Sequence, residues 1–370
     1  MIRVLELFAG IGACSKALTN LKIDHEIVDA VEIDQYAIKS FNAVHGTNFS
    51  PQDITKWDKD IKVDLIMHGS PCQDFSVAGK EAGGDEGSGT RSSLLYETIR
   101  IVGKTQPEIV IWENVRNLLS KKHRHNWEEY VKRMENLGYE STAMIMNAKD
   151  YNVPQNRERV FTVSIKKDNS LIDSFEWPQK QKLELKLKDL LEKKPDKKYY
   201  LSSAMMNYFM GVNQKPSKYP RKERFLKNIN RKNQDIANSV TTNAGNRPTD
   251  NFVKEKKTVR IKTANKRGYD IAEDGDGIDI AYPSSTTRRG RVGHGVSKTI
   301  QTVDIQAVLD GCKIRKLTPL ECWRLMGFSD KDFEKAKKVN SNTQLYKQAG
   351  NSIVVDCLMN IIKGIKWRTQ

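Results

Sequence analysis

Cys72 stands in the stretch MHGSPCQDFS (Met67–Ser76), behind the apolar run VDLI and between a proline and a glutamine. A buried strand ending in Gly-Ser-Pro-Cys would deliver a thiol to a loop, where it could pack, bind metal or act as a nucleophile. Further along, WENV sets Glu113 and Asn114 at the end of a second apolar run, IVIW. A carboxyl there loses hydration, which favours its protonated form; a helix N-cap with its neighbour would leave the same pattern. VPQNRERVF spaces Gln155, Arg157 and Arg159 two apart, so an extended chain aims all three to one side. Two guanidinium groups turned into a cleft suit an anion or a carbonyl, the alternative being a solvent-facing strand edge. LFAGIGACSKAL places Gly10 and Gly12 between a strand and a helix N-terminus, where backbone can approach a ligand. Glu32 ends the next strand, placed to hold ribose hydroxyls, and Asp53 follows in SPQDIT, so an adenosine-type ligand fits. No G-x-G-x-x-G and no complete G-x-x-x-x-G-K-[ST] occurs, which tells against a dinucleotide or a triphosphate.

These residues need a frame to bring them together. Short apolar runs (IRVLELF, HEIVDAVEI, VDLIMHG, PEIVIWENV) alternate with amphipathic stretches (SKALTNL, YAIKSFNAV, SLLYETIRIVGK, WEEYVKRMENLG). That alternation predicts an α/β fold with a doubly wound, mostly parallel sheet. Ligands of such sheets bind beyond the carboxyl ends of the strands, where all the motifs above fall. The texture changes after about Asp173: residues 171–314 hold 29 Lys and Arg against 17 Asp and Glu, most of the excess behind the chain's net charge of +16. Helical patterning resumes at IRKLTPLECWRLMGF, with Thr318 as N-cap and Pro319 in the first turn, and continues in AGNSIVVDCLMNIIKGI. The basic segment therefore reads as an insert, with residues 1–173 and 312–370 forming one domain and 174–311 a second. No run of about 18 apolar residues suggests a membrane span. Five scattered cysteines without a CxxC pair argue against zinc and for a reducing cytoplasm. The positive charge makes nucleic acid the expected partner.

FAGIG, PCQDFS, ENV, QNRER, RKLTPLECWRLMGF and QAGNSIVV occur in the order and rough spacing of the DNA (cytosine-5) methyltransferases, which the chain resembles from end to end except in the basic segment. The resemblance implies a Rossmann-like fold that binds S-adenosylmethionine, releases S-adenosylhomocysteine and needs no metal. It also implies a smaller target recognition domain, double-stranded DNA as partner, action as a monomer, and a cognate restriction endonuclease acting separately in a bacterial or phage-infected cell. By the same resemblance Cys72 is the nucleophile, Glu113 holds or protonates the cytosine ring, and Asn114 supports the loop. Arg157 would bind the base carbonyl, with Gln155 and Arg159 beside it. Phe8, Gly10, Ile11 and Gly12 would cradle the cofactor, Glu32 would take its ribose and Asp53 its adenine amino group, with Ile33 and Ile54 beside them, and Asn351 and Ser352 would close its methionine end. The family often carries an aromatic residue where Ile33 stands, so one adenine contact is altered. Expected DNA contacts are Gln73, Ser76 and Arg91 around the glycine-rich lid, Arg288, Arg289 and Arg291 in TTRRGRVGHG, and Lys298 and Thr299 after it.

An RNA cytosine-5 methyltransferase would share Cys72 and Glu113, but the long basic insert favours duplex DNA. A nicotinamide oxidoreductase would use the glycine loop and leave Cys72, Gln155 and Arg157 without a role. A catalytically silent DNA-binding protein would not need the full set of reactive residues that is present.

Overall fold

The computed structural model describes residues 1–71, 91–200, 202, 258–300, 306–310 and 313–368. Those residues form two compact units, Met1–Pro195 with Val296–Ile305 and Leu317–Gln370, and Asp196–Gly295 with Gln306–Lys316.

The first unit is built on strands β1 (Ile2–Leu7), β2 (His25–Val31), β3 (Leu65–His68), β4 (Ile109–Val115) and β5 (Tyr139–Asn147), the short β6 (Gln155–Asn156), β7 (Glu158–Lys166) and β8 (Ile172–Phe175). Six of them make one sheet in the order β2-β1-β3-β4-β7-β5. β1 pairs in parallel with β2 and β3, and β3 with β4, whereas β7 runs antiparallel to both β4 and β5. Helices α1 (Ala13–Asn20), α2 (Gln35–His45), α3 (Leu95–Thr105) and α4 (Arg124–Asn136) connect the strands. Strands covered on both faces need continuous apolar sequence, and β3 and most of β4 are buried throughout. Side chains such as Ile66, Val110 and Trp112 meet Leu95, Val102, Tyr130 and Met134 in the main core. α2 begins at Asp34, which accepts from the Tyr36 N–H at 2.9 Å, and ends at Gly46 with φ +73°.

The second unit holds β9 (Val259–Lys262), β10 (Tyr269–Ala272), β11 (Gly277–Asp279) and β12 (Val292–Gly293). β13 (Ser297–Lys298) returns to the first unit, where it pairs with β6. β14 (Gln306–Asp310) and β15 (Lys313–Lys316) complete a four-stranded sheet, β12-β11-β14-β15, beside the β9–β10 hairpin. Val259, Ile261, Ala272, Ile278, Val292, Ala307 and Leu309 form this unit's own core.

The chain then re-enters the first unit through α5 (Pro319–Arg324), α6 (Asp330–Lys337), α7 (Asn342–Asn351), α8 (Val355–Lys363) and β16 (Ile365–Trp367). The cap expected at Thr318 is present: its hydroxyl accepts from the Glu321 N–H at 3.2 Å, and Glu321 accepts from the Thr318 N–H at 2.8 Å. α8 packs on α1. The compact units divide elsewhere than at the expected boundaries. Residues 174–195 and 296–305 lie with the first unit, because β8 pairs with β16 and β13 with β6. No helix among the described residues is long and apolar enough to cross a membrane.

Candidate active site and cofactor cleft

The cleft lies at the carboxyl ends of β1, β3 and β4. Phe8, Gly10, Gly69, Glu113, Asn351, Ser352 and Ile353 line it, with Glu6, Cys14 and His68. Phe8, Gly10 and Gly12 have φ values of +52°, +56° and +80°, so the loop turns three times through the left-handed region. The two glycines do different things. A side chain at Gly10 would meet nothing within 4 Å, so its backbone faces open space. At Gly12 a Cβ would stand 2.1 Å from His45 Nε2 and 2.8 Å from Phe41, so this glycine lets α2 pack beneath the loop. His45 donates from Nε2 to the Ile11 carbonyl at 3.2 Å, and its burial lowers the imidazole pKa to about 4.

Glu32 holds the loop from β2. Its carboxylate accepts the Gly10 N–H at 3.0 Å and the Asp34 N–H at 2.8 Å, while burial pushes its pKa up. Each oxygen keeps a second lone pair for a ligand hydroxyl. Asp53 caps a short 3-10 turn; the Thr55 hydroxyl and N–H it accepts hold its pKa below the usual range. Of the other expected cofactor contacts, Ile33 is 70% exposed, whereas Ile11 and Ile54 are buried in the core. The open backbone at Gly10 and the carboxylate that accepts its N–H fit a ligand carrying ribose hydroxyls.

Sequence reasoning missed Glu6, His45, His68 and Ser70. Glu6 sits among apolar neighbours in β1 and accepts from both the N–H and the hydroxyl of Ser15 on α1. Burial raises its pKa to about 7. The acid inside LELF was the available signal. His68 is fully buried and stacks on Trp112 with ring centres 5.7 Å apart. Neither of its ring nitrogens has a hydrogen-bond partner among the described residues, and burial lowers its pKa to about 3.

The catalytic candidates gather at the ends of β3, β4 and β7. Trp112 donates from Nε1 to the Ser70 hydroxyl at 3.0 Å, and the Asn114 amide lies 3.4 Å from the Ser70 carbonyl and hydroxyl. β4 thus holds the Gly-Ser-Pro turn that leads to Cys72. Glu113 faces Gly69, and Arg159 Nε lies 2.9 Å from its Oε1, an ion pair whose N–H is not aimed along a hydrogen bond. Cys72, Gln73 and Ser76 lie outside the described residues, as does the side chain of Arg91.

Two members of the arginine motif are braces. The fully buried Gln155 donates to the Leu325 carbonyl at 2.9 Å and accepts the Ile300 N–H at 3.1 Å, so its amide ties β6 to the returning chain. Arg157, 4% exposed, donates to the carbonyls of Ile300 (3.0 Å), Gly350 (3.2 Å) and Ser352 (2.8 Å). The side shared by Gln155 and Arg157 is the interior, which corrects their expected outlook onto a ligand. Thr299 donates to the Asn156 carbonyl at 2.8 Å, and the Lys298 backbone pairs with Asn156.

The three loop arginines also separate. Arg291, 2% exposed, donates to the carbonyls of Asp279, Ala281 and Tyr282 at 3.0, 2.8 and 2.8 Å and so braces the loop from within. Arg288 is half-buried and ion-paired with Asp279 at 2.7 Å. Arg289 is exposed and has no ion-pair partner among the described residues.

The sequence model of the C-5 cytosine-specific DNA methylases matches residues 2–367. The orphan methyltransferase M.SPRI of Bacillus phage SPR is 32% identical over 98% of this chain and 97% of its own. The type II methyltransferase M.HhaI of Haemophilus parahaemolyticus is 30% identical over 98% and 94%. Among solved structures, the Dnmt2 methyltransferase of S. pombe superposes with a TM-score of 0.56 at 18% identity, covering 98% of this chain and 96% of that one. The Entamoeba histolytica methyltransferase EhMeth gives 0.59 at 16%, covering 98% and 97%. At these identities the structural likeness speaks for the fold alone.

Proposed function

As the chain belongs to the C-5 cytosine-specific DNA methylases, we propose that it methylates carbon-5 of a cytosine flipped out of duplex DNA, through a covalent bond between Cys72 and carbon-6. One observation carries the reading: Glu113, Asn114 and the turn ending at Pro71 converge beside the cleft that Gly10 and Ser352 line. Carbon-5 of cytosine is a weak nucleophile. Addition of the Cys72 thiolate to carbon-6 forms a carbon–sulfur bond and moves the displaced electron pair into the ring, making carbon-5 an enamine carbon. Glu113 holds or protonates ring nitrogen-3, which neutralises the charge that develops there. Arg159 fixes the Glu113 carboxyl, and Asn114 with Trp112 fixes Ser70. After carbon-5 is methylated it loses its proton, and the electron pair returns to expel the thiolate. S-adenosylmethionine, when bound, supplies an electrophilic methyl group. Phe8, Gly10, Glu32, Asn351 and Ser352 would hold it, Asp53 would reach its adenine, and Arg157 would secure the carbonyls at 350 and 352.

A base inside a duplex cannot reach this chemistry, so the target must leave the stack. The second unit would bind the duplex and read its sequence, with exposed Arg289 as the member of the loop arginines free to do so. The test is Cys72→Ala with duplex DNA and transfer RNA as substrates. Wild type is expected to methylate the duplex and not the RNA. The variant should bind S-adenosylmethionine and transfer nothing. Duplex carrying 5-fluorocytosine should trap wild type covalently, because fluorine cannot leave as a proton. Product from the pure variant, or no trapped adduct, would remove Cys72 from the mechanism.

A further inference from the structure

Between Asp279 and Arg291 the second unit carries a loop, IAYPSSTTRRG, closed where the Asp279 N–H donates to the Arg291 carbonyl at 2.9 Å. Tyr282 within it combines three properties that stability alone does not explain. Its side chain is 73% exposed. Its φ is +45°, a region that L-residues avoid and that Gly or Asn would occupy at lower cost. It also precedes Pro283, which narrows the conformations open to it still further. The surroundings enforce this conformation. The Tyr282 carbonyl accepts from Arg291 at 2.8 Å and from the Ser285 N–H at 3.0 Å, and the same buried guanidinium grips the carbonyls of Asp279 and Ala281. Arg288, anchored on Asp279, lies 5.6 Å from the centre of the tyrosine ring. A large aromatic is thus held outward on a rigid, strained backbone, with the exposed cation of Arg289 in the same loop. Strain that the fold over-determines at an exposed side chain points to function.

We infer that Tyr282 is a DNA-contacting residue that stacks on an unstacked base of the target duplex, while Arg289 meets the polyanion beside it. Every base offers a π-face, and flipping one base exposes the faces of others. The inference rests on the reading that the second unit binds DNA. A protein partner is the rival occupant, and the test excludes it by using DNA alone.

The experiment compares Tyr282→Phe, Tyr282→Leu and Tyr282→Gly in the full-length protein, on a short duplex carrying the methylated site found by sequencing and on a site-free duplex. Phe should retain affinity for the site. Leu and Gly should lose roughly 5- to 150-fold, the range of one base–aromatic stack. Glycine accepts a positive φ, so Tyr282→Gly should melt no lower than wild type even as it binds DNA less tightly. A merely structural tyrosine would give the reverse, with stability and binding falling together. Leu and Gly variants that bind the site within about twofold of wild type would overturn the inference. Wild type that binds neither duplex would instead overturn the DNA-binding assignment of the unit on which the inference rests.

Discussion

Glu113 and Arg159 illustrate how one residue's chemistry depends on its neighbour. The carboxyl ends an apolar strand, yet a guanidinium stands 2.9 Å away, so it is positioned as well as desolvated. If it serves ring nitrogen-3, Glu113→Gln keeps shape and packing but cannot supply the proton. Single-turnover methyl transfer should slow by roughly 100- to 10,000-fold. DNA affinity, measured on the same duplex, should change far less. A rate within about threefold of wild type would take Glu113 out of the reaction.

Among the elements, the β1–α1 junction lines the cleft. Gly10→Ala meets open space and should cost about 1–2 kcal/mol for its left-handed backbone, together with weaker S-adenosylmethionine binding. Gly12→Ala adds a collision with buried His45 and Phe41 and should cost roughly 2–5 kcal/mol in urea denaturation. If the two variants lose equal stability, the division of labour within the loop is wrong. Glu6 gives the same junction a pH signature. Its folded pKa is raised from 4.5 to about 7, so the folded state holds the extra proton. The stability this confers is complete below 4.5 and is lost as pH rises through 7. Gln copies the protonated acid. Glu6→Gln should match wild type at the acid end of that window and exceed it by roughly 3 kcal/mol above it. A stability difference independent of pH would show that the Glu6 pKa does not change on folding.

For the whole molecule, two units have separate cores, and if the second reads the DNA sequence as proposed, sequence choice and chemistry should be exchangeable independently. Replacing Asp196–Gly295 and Gln306–Lys316 with the corresponding span of a relative should move the methylated sequence and leave the dependence on Cys72 intact. Within the native unit, Arg289→Ala should act in one of two ways. A base-reading arginine would cost about 1–3 kcal/mol at one position of the site, and a phosphate contact would flatten the salt dependence by about one unit. Methylation sequencing of the chimera, with binding of Arg289→Ala at several salt concentrations, reads both. A chimera that keeps its original site would place sequence recognition outside the second unit.

The sequence alone determined whatever depends on short spacing. The strand–helix alternation, the Thr318 cap and the motifs at strand ends follow from periodicities of two to four residues and from glycine, proline and capping chemistry. The family was legible for the same reason, because PCQ, ENV and QNRER are local strings. Tertiary structure decided which polar side chains face a ligand and which brace the chain. Gln155 reaches Ile300, Arg157 reaches Ser352 and Gly12 makes room for His45, contacts between positions far apart in the chain. Arg288, Arg289 and Arg291 look alike in a string, yet one is ion-paired, one is exposed and one is buried against three carbonyls. An alternating pattern shows that side chains share a face, but only long-range pairing settles whether that face is interior or cleft.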